Sequence, residues 1–209
     1  MTSLEIRQIS ERPRLYVIED FVSNATIEHI EALTVNEEQL LKDMPGAKRD
    51  ETGFSAELPV SGDAVLEDLR QRIADILDFA NSAGSTLRFR RYQKGNYHPL
   101  HPDNYAMEGL SLIATFLVCL TDVDDGGETH FPHAKPFPVK VRPKKGRAML
   151  WFNHALDGSD DDDAVHECLP IVDGVKTTIT SFSYGLPESA ANVIDCAPLY
   201  RDRNAMMEG

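Results

Sequence analysis

The chain has 209 residues, 42% of them hydrophobic and 26% charged, the profile of one soluble domain with a sizeable core. A net charge of −13 repels phosphates, which argues against nucleic acid as a partner and suits a neutral or basic peptide or small molecule. No apolar run approaches the ~20 residues of a membrane span. The N-terminus lacks a basic-then-apolar leader, and Cys119, Cys168 and Cys196 show no CxxC spacing, so a cytoplasmic protein without a disulfide framework or zinc site is expected.

Residues 14–19 read as a strand, and residues 24–35 place Ile27, Ile30 and Leu33 at helical spacing. Residues 42–62, rich in Gly, Pro and Ser, read as a long loop or an irregular hairpin whose composition suits mobility. Asp63 can cap a helix with the apolar stripe Val65, Leu66, Leu69, Ile73, Ile76 and Leu77, a core stripe without catalytic meaning. From residue 86 the pattern changes to short strands between turn signals such as Asp124-Asp125-Gly126-Gly127, Lys145-Gly146, Asp157-Gly158 and Asp173-Gly174. Helices first and short strands afterwards predict a mainly β (α+β) fold. The expected form is a double-stranded β-helix, or jelly roll, buttressed by N-terminal helices. One domain would span 1–209, with strand-helix support over 1–85, a catalytic barrel over 86–187 and a C-terminal tail over 188–209.

Chemistry concentrates in the barrel half. His101 and Asp103 form an HxD pair, and in an extended segment residues i and i+2 face the same side and can share one metal ion. The pair alone is weak, because 7 His and 19 Asp in 209 residues give about 0.6 such pairs by chance. His29-Ile30-Glu31 looks similar but lies in a helical pattern, where i and i+2 diverge. His166 follows His101 by 65 residues, and two imidazoles with one carboxylate are the ligand set of a non-haem Fe(II) facial triad. Lys176 lies ten residues further, on a β-branched strand whose one face carries Lys176, Thr178, Thr180 and Phe182. Taken alone, Lys176 is most simply an exposed strand lysine. If that face points into a barrel, the ammonium needs an anion. The remaining features have quieter readings. His130, Pro132 and His133 suit structural or surface roles, His98 suits the pocket wall, and His154 stands behind the ligands at most. Trp151 suits the core. Asp160–Asp163 suits a solvated loop, with a gate over the metal as the sharper alternative.

Order and spacing together resemble a known family. Arg91-Tyr92, Gly95, His101 and Asp103 are followed by the apolar run Ile113 to Leu120 and by Gly126-Gly127-Glu128-Thr129-His130-Phe131. Pro143-Lys144-Lys145-Gly146, Met149-Leu150-Trp151-Phe152, His166 and Lys176 complete the series, and Pro13 to Phe21 resembles its first strand. This series resembles the prolyl 4-hydroxylase-like 2-oxoglutarate/Fe(II)-dependent dioxygenases over most of residues 13–187.

The resemblance implies Fe(II) on His101, Asp103 and His166, with O2 and 2-oxoglutarate as cosubstrates and ascorbate as a candidate addition. It implies that Lys176 receives the far carboxylate of 2-oxoglutarate, with Tyr92 and Thr178 as further hydrogen-bond candidates. The implied reaction hydroxylates an unactivated C–H and releases succinate and CO2. Retention of Asp103 favours hydroxylation over halogenation. Departures fall on the substrate side. An R-T-S segment is replaced by residues 51–56, a Glu-x-Gln step by Thr86–Arg90, and a tyrosine by His98. A prolyl residue in a peptide or protein is the leading substrate. A free amino acid or small metabolite, a non-catalytic metal- or peptide-binding barrel, and a cupin-type metal protein without 2-oxoglutarate stand as alternatives.

Overall fold

The computed structural model describes residues 5–44, 46–77, 86–107 and 109–186; the expected tail 188–209 lies outside them. The N-terminal region alternates strands and helices: β1 Ile6–Ser10, β2 Leu15–Ile18, α1 Asn24–Thr34, α2 Glu37–Asp43, β3 Lys48–Asp50, β4 Gly53–Leu58 and α3 Ala64–Leu77. Strands then dominate: β5 Leu87–Tyr92, β6 His98–His101, β7 Ala106–Met107, β8 Leu110–Cys119, β9 Asp125–Gly126 and β10 Thr129–Phe131. The chain continues through β11 Val139–Val141, β12 Ala148–Phe152, β13 His166–Cys168, β14 Ile171–Asp173 and β15 Lys176–Gly185.

Caps start the helices where polar side chains can satisfy free amides. Ser23 Oγ accepts from the Thr26 amide at 3.1 Å, and Asp63 Oδ1 accepts from Val65 and Leu66 at 3.0 and 3.1 Å. The stripe of α3 is largely as read: Leu66, Leu69, Ile73 and Leu77 are buried, while Val65 and Ile76 are half-buried. In α1 the expected Leu33 is instead exposed, and its neighbour Thr34 turns inward, donating to the Ile30 carbonyl at 2.8 Å.

Every strand pairing among the described residues is antiparallel. The large sheet runs β1-β2-β12-β8-β15-β5-β4-β3, with β7 added to β8, and the small sheet runs β11-β10-β13-β6. The region expected only to support the barrel therefore contributes four strands to its major sheet. Within residues 42–62, Lys48–Leu58 form the hairpin β3–β4, paired to β5, which settles between the two readings of that stretch.

Both faces of the large sheet are covered, which explains why β8 and β12 read as continuous apolar runs. Tyr16, Ile18, Phe89, Phe116, Val118, Leu150 and Phe152 pack with Ile27, Ile30, Leu66 and Leu69 of the helices. Leu15, Val17, Met149 and Trp151 point the other way, against Phe131 and Val141 of the small sheet. Fully burying each such side chain contributes about 1.5–3 kcal/mol. The result is the expected jelly roll, with helices on its outer face.

Candidate active site

Register brings the distant ligands together. His101 ends β6, His166 opens β13, and the two strands pair with these residues directly opposite. Asp103 follows two positions after His101. Nε2 of His101 lies 3.4 Å from Asp103 Oδ1, and Nε2 of His166 lies 3.7 Å from Asp103 Oδ2. The three ligand atoms all fall within 4.8 Å of one another.

Backbone carbonyls aim the rings. His101 Nδ1 donates to the Pro99 carbonyl at 2.7 Å, and His166 Nδ1 donates to the Ala164 carbonyl at 3.0 Å. Each Nδ1 thus keeps its proton, and each Nε2 presents a lone pair to the shared centre. Asp103, 4% exposed, accepts from Thr115 Oγ1 at 2.7 Å, and Thr115 in turn accepts from Asn153 Nδ2 at 3.2 Å. Burial works to raise the Asp103 pKa, but the neighbouring His101, His166 and Thr115 side chains outweigh it and hold the pKa low. Burial lowers the pKa of His166, so its imidazole is favoured as the neutral ligand form. Trp151 packs its edge on His166 at 4.7 Å and Phe131 stacks on the same ring at 5.3 Å, so the tryptophan belongs to the core and also braces the His166 ring.

Lys176 lies deeper in the same cavity, 1% exposed, opposite Tyr92 in the β15–β5 register. Its ammonium donates to the Gly127 carbonyl at 2.7 Å and contacts Cys168 Sγ at 3.3 Å and Thr129 Oγ1 at 3.5 Å. No carboxylate pairs with it among the described residues. Burial pushes the ammonium down, yet Cys168, Cys119 and Tyr92 outweigh that and hold its pKa above the ordinary lysine value. A buried, charged, unpaired ammonium calls for an anion. Gly127 permits this approach: it sits at φ +72°, and a Cβ there would lie 2.5 Å from Ile171 Cδ1.

Known proteins match most of the chain. The model of the 2OG-Fe(II) oxygenase superfamily matches residues 87–184. Prolyl 4-hydroxylase 5 of Arabidopsis thaliana is 30% identical over 204 residues, spanning 85% of this chain and 70% of that protein. The chain belongs to the 2OG-Fe(II) oxygenases, among their prolyl 4-hydroxylase-like members. Two solved structures share the fold. The viral collagen prolyl hydroxylase of Paramecium Bursaria Chlorella virus-1, in complex with 2OG, has a TM-score of 0.65 at 17% identity, covering 82% of this chain and 96% of that one. A Pseudomonas putida prolyl-4-hydroxylase has a TM-score of 0.58 at 13% identity, covering 82% and 92%.

The enzyme is thus a 2-oxoglutarate-dependent dioxygenase using Fe(II) and O2, and its donors fit that requirement. Two imidazole nitrogens and one carboxylate converge within 4.8 Å of one another, and the Lys176 ammonium lines the same cavity. Tyr92 lines the cavity, and its hydroxyl accepts from Arg90 Nη1 at 3.2 Å. Burial raises the Tyr92 pKa and keeps the phenol protonated. Thr178 is buried two residues beyond Lys176, with no hydrogen-bond partner for its hydroxyl among the described residues. Thr180 and Phe182 of the same face reach the cavity wall.

Of the other histidines, His130, His133 and His154 have surroundings of their own, while His98 adjoins the triad. His130 Nδ1 pairs with Glu167 at 2.8 Å, His133 is exposed, and buried His154 pairs with Asp160 at 3.2 Å. His98 stacks on His101 with centroids 4.2 Å apart, and burial with nearby Arg90 lowers its pKa to about 4. The acidic loop is solvated only in part, with Asp160 and Asp162 exposed. Asp161 is buried, Asp163 pairs with Arg12 at 3.2 Å and Lys135 at 3.7 Å, and the loop is pinned to the start of the chain. Sequence reading missed Thr115 and Asn153. A hydroxyl inside the apolar run Ile113–Leu120, on the face opposite Phe116, was the available signal for the first.

Proposed function

We propose that this oxygenase hydroxylates a prolyl residue in a peptide or protein. The observation that carries the reading is spatial. The triad and Lys176 occupy the closed end of the cavity. The open end, past Arg88, Arg90, His98 and Tyr105, continues into a groove of about 780 Å³ walled by the β3–β4 hairpin. A groove of that size suits an extended chain better than a single amino acid, and the relatives named above are prolyl hydroxylases by name.

Each protein group has a task in this scheme. His101, Asp103 and His166 would hold Fe(II) on one side and leave the rest of its coordination open. Lys176 would neutralise the far carboxylate of 2-oxoglutarate, with Tyr92 beside it and Thr178 as a further donor. Bound iron, cosubstrate and O2 supply the oxidising chemistry, and the protein supplies geometry and dryness. Trp151, Phe131 and Leu117 surround the ligands with apolar surface that excludes water.

One domain over residues 1–209 carries the activity in this reading, with ascorbate as an auxiliary reductant. Free, buried Cys119 and Cys168 suit the reducing cytoplasm, and the acidic surface disfavours nucleic acid. No helix among the described residues is long and apolar enough to cross a membrane. Proline-containing peptides incubated with enzyme, Fe(II), 2-oxoglutarate and air should gain one oxygen on proline, with stoichiometric succinate. Succinate release stimulated only by a free amino acid, with every peptide unchanged, would overturn the peptidyl reading.

A further inference from the structure

The inner face of β5 carries two arginines, Arg88 and Arg90, to which no task has been given so far. Alternation along the strand points Phe89 to the helices and Arg88, Arg90 and Tyr92 to the cavity. Arg90 lines both the cavity around the triad and the outer groove, whereas Lys176 lines only the cavity. Arg90 therefore stands nearer the mouth, opposite Thr178 rather than Lys176 in the β5–β15 register. These are separate anion positions.

Among the described residues, two cations of the cavity lack a carboxylate partner: Lys176, already given a task above, and Arg90. Among the described residues, the carboxylates lining cavity and groove are Asp103, Glu167 and Glu57. Asp103 belongs to the triad, Glu167 pairs with His130 at 2.8 Å, and Glu57 pairs with Arg88 at 3.0 Å. Arg90 has no carboxylate partner among the described residues; its hydrogen bond runs to the neutral Tyr92 hydroxyl at 3.2 Å. An unpaired guanidinium at a half-buried site favours a ligand with two coplanar acceptor oxygens. Around it, the Tyr105 and Phe182 rings lie 6.2 Å apart, and the Arg88 guanidinium sits 5.3 Å above Phe182, which makes a rim that is apolar and cationic together. The same strand segment, Thr86–Arg90, departs from the family pattern noted in the sequence.

We propose that Arg90, backed by Arg88, binds a carboxylate of the substrate, so that the preferred peptide carries an aspartate or glutamate beside the hydroxylated residue. This deepens the peptidyl-hydroxylase reading and rests on it. The chain's −13 net charge disfavours peptides that are acidic throughout. Its field is screened within about 8 Å at physiological salt, so contact with Arg90 decides at close range. The matching peptide is neutral or basic overall, with one acid next to its target.

The test uses acetylated, amidated peptides with a single proline flanked by Glu, Gln or Lys, read by KM, kcat and one-oxygen mass gain. Wild-type KM should be about tenfold lower for the Glu peptide than for the Gln peptide, the scale of one charge-assisted hydrogen bond, and highest for the Lys peptide, with kcat little changed. Arg90→Gln should bring the Glu and Gln peptides to one KM. Arg90→Glu should turn the preference over to the Lys peptide, a rescue that simple misfolding cannot produce. Equal KM values in the wild type, or a variant that slows all peptides by one factor, would overturn the proposal. If no peptide gains oxygen, proline and prolinamide are compared. Hydroxylation of the acid alone ends the peptidyl reading and keeps the carboxylate contact, while equal turnover of both, or of neither, ends that contact too.

Discussion

Strands β5, β8 and β15 carry different chemistry on their two faces. Toward the helices they present Phe89, Phe116, Val118 and Ile179, all fully buried in one apolar cluster. Toward the small sheet the same strands present Arg90, Tyr92, Thr115, Lys176 and Thr180, polar groups that line the cavity around the triad. A strand's period of two lets one backbone serve both ends. The outer face supplies the rigidity that holds the inner face at fixed spacing, so damage to one should separate cleanly from damage to the other.

The sharpest break of that division is loss of a ligand. His166→Ala, and equally His101→Ala, should reduce substrate-stimulated succinate release to background, while the thermal transition of the metal-free protein shifts little by comparison. On the outer face, Phe116→Ala should cost about 3–5 kcal/mol in chemical denaturation, yet the fraction that remains folded should keep its turnover per molecule. A large fall in kcat per folded molecule would show that the two faces are not independent.

Lys176→Ala should raise KM for 2-oxoglutarate by roughly 30-fold or more, the scale of truncating one partner of a buried charge pair. Direct binding of the diacid by calorimetry checks this apart from turnover, and an unchanged affinity would remove Lys176 from the site. Thr115→Val keeps the shape but removes the hydrogen bond to Asp103, and should weaken metal binding by roughly 10–100-fold in a Mn(II) titration.

The smallest effect belongs to the hairpin that walls the groove. Lys48, and then Thr52, hold the Asp50 pKa down to about 2. A carboxylate with a lowered folded pKa stabilises above its unfolded value and loses that contribution as pH falls through the folded one. Asp50→Asn should therefore lower Tm slightly at pH 5 and converge with the wild type as pH falls from 3.8 towards 2. A constant difference across that range would place the effect elsewhere.

How much of this was legible beforehand differs by element. The long helices, β8, β12 and β15 announced themselves because their periodicity runs over enough residues to be read. The strand β1, the short helix α2 and the three-residue strand β3 did not. The sequence of β3 is Lys48-Arg49-Asp50, and α2 buries only Leu40, so neither shows a periodic apolar pattern. Their structure comes from pairing and packing with neighbours.

The amino-acid sequence by itself determined which side chains could bind metal and which side of a strand each would face, because residue chemistry and strand alternation are local. It placed His101 and Asp103 on one side of an extended segment and set Lys176 on a face with Thr178 and Thr180. Tertiary structure alone decided that β13 lies beside β6 with His166 opposite His101, that Thr115 and Asn153 stand behind Asp103, and that Arg90 lacks a carboxylate partner among the described residues. Such facts depend on which strands become neighbours. That choice is made by burial over the whole chain, and no local pattern records it.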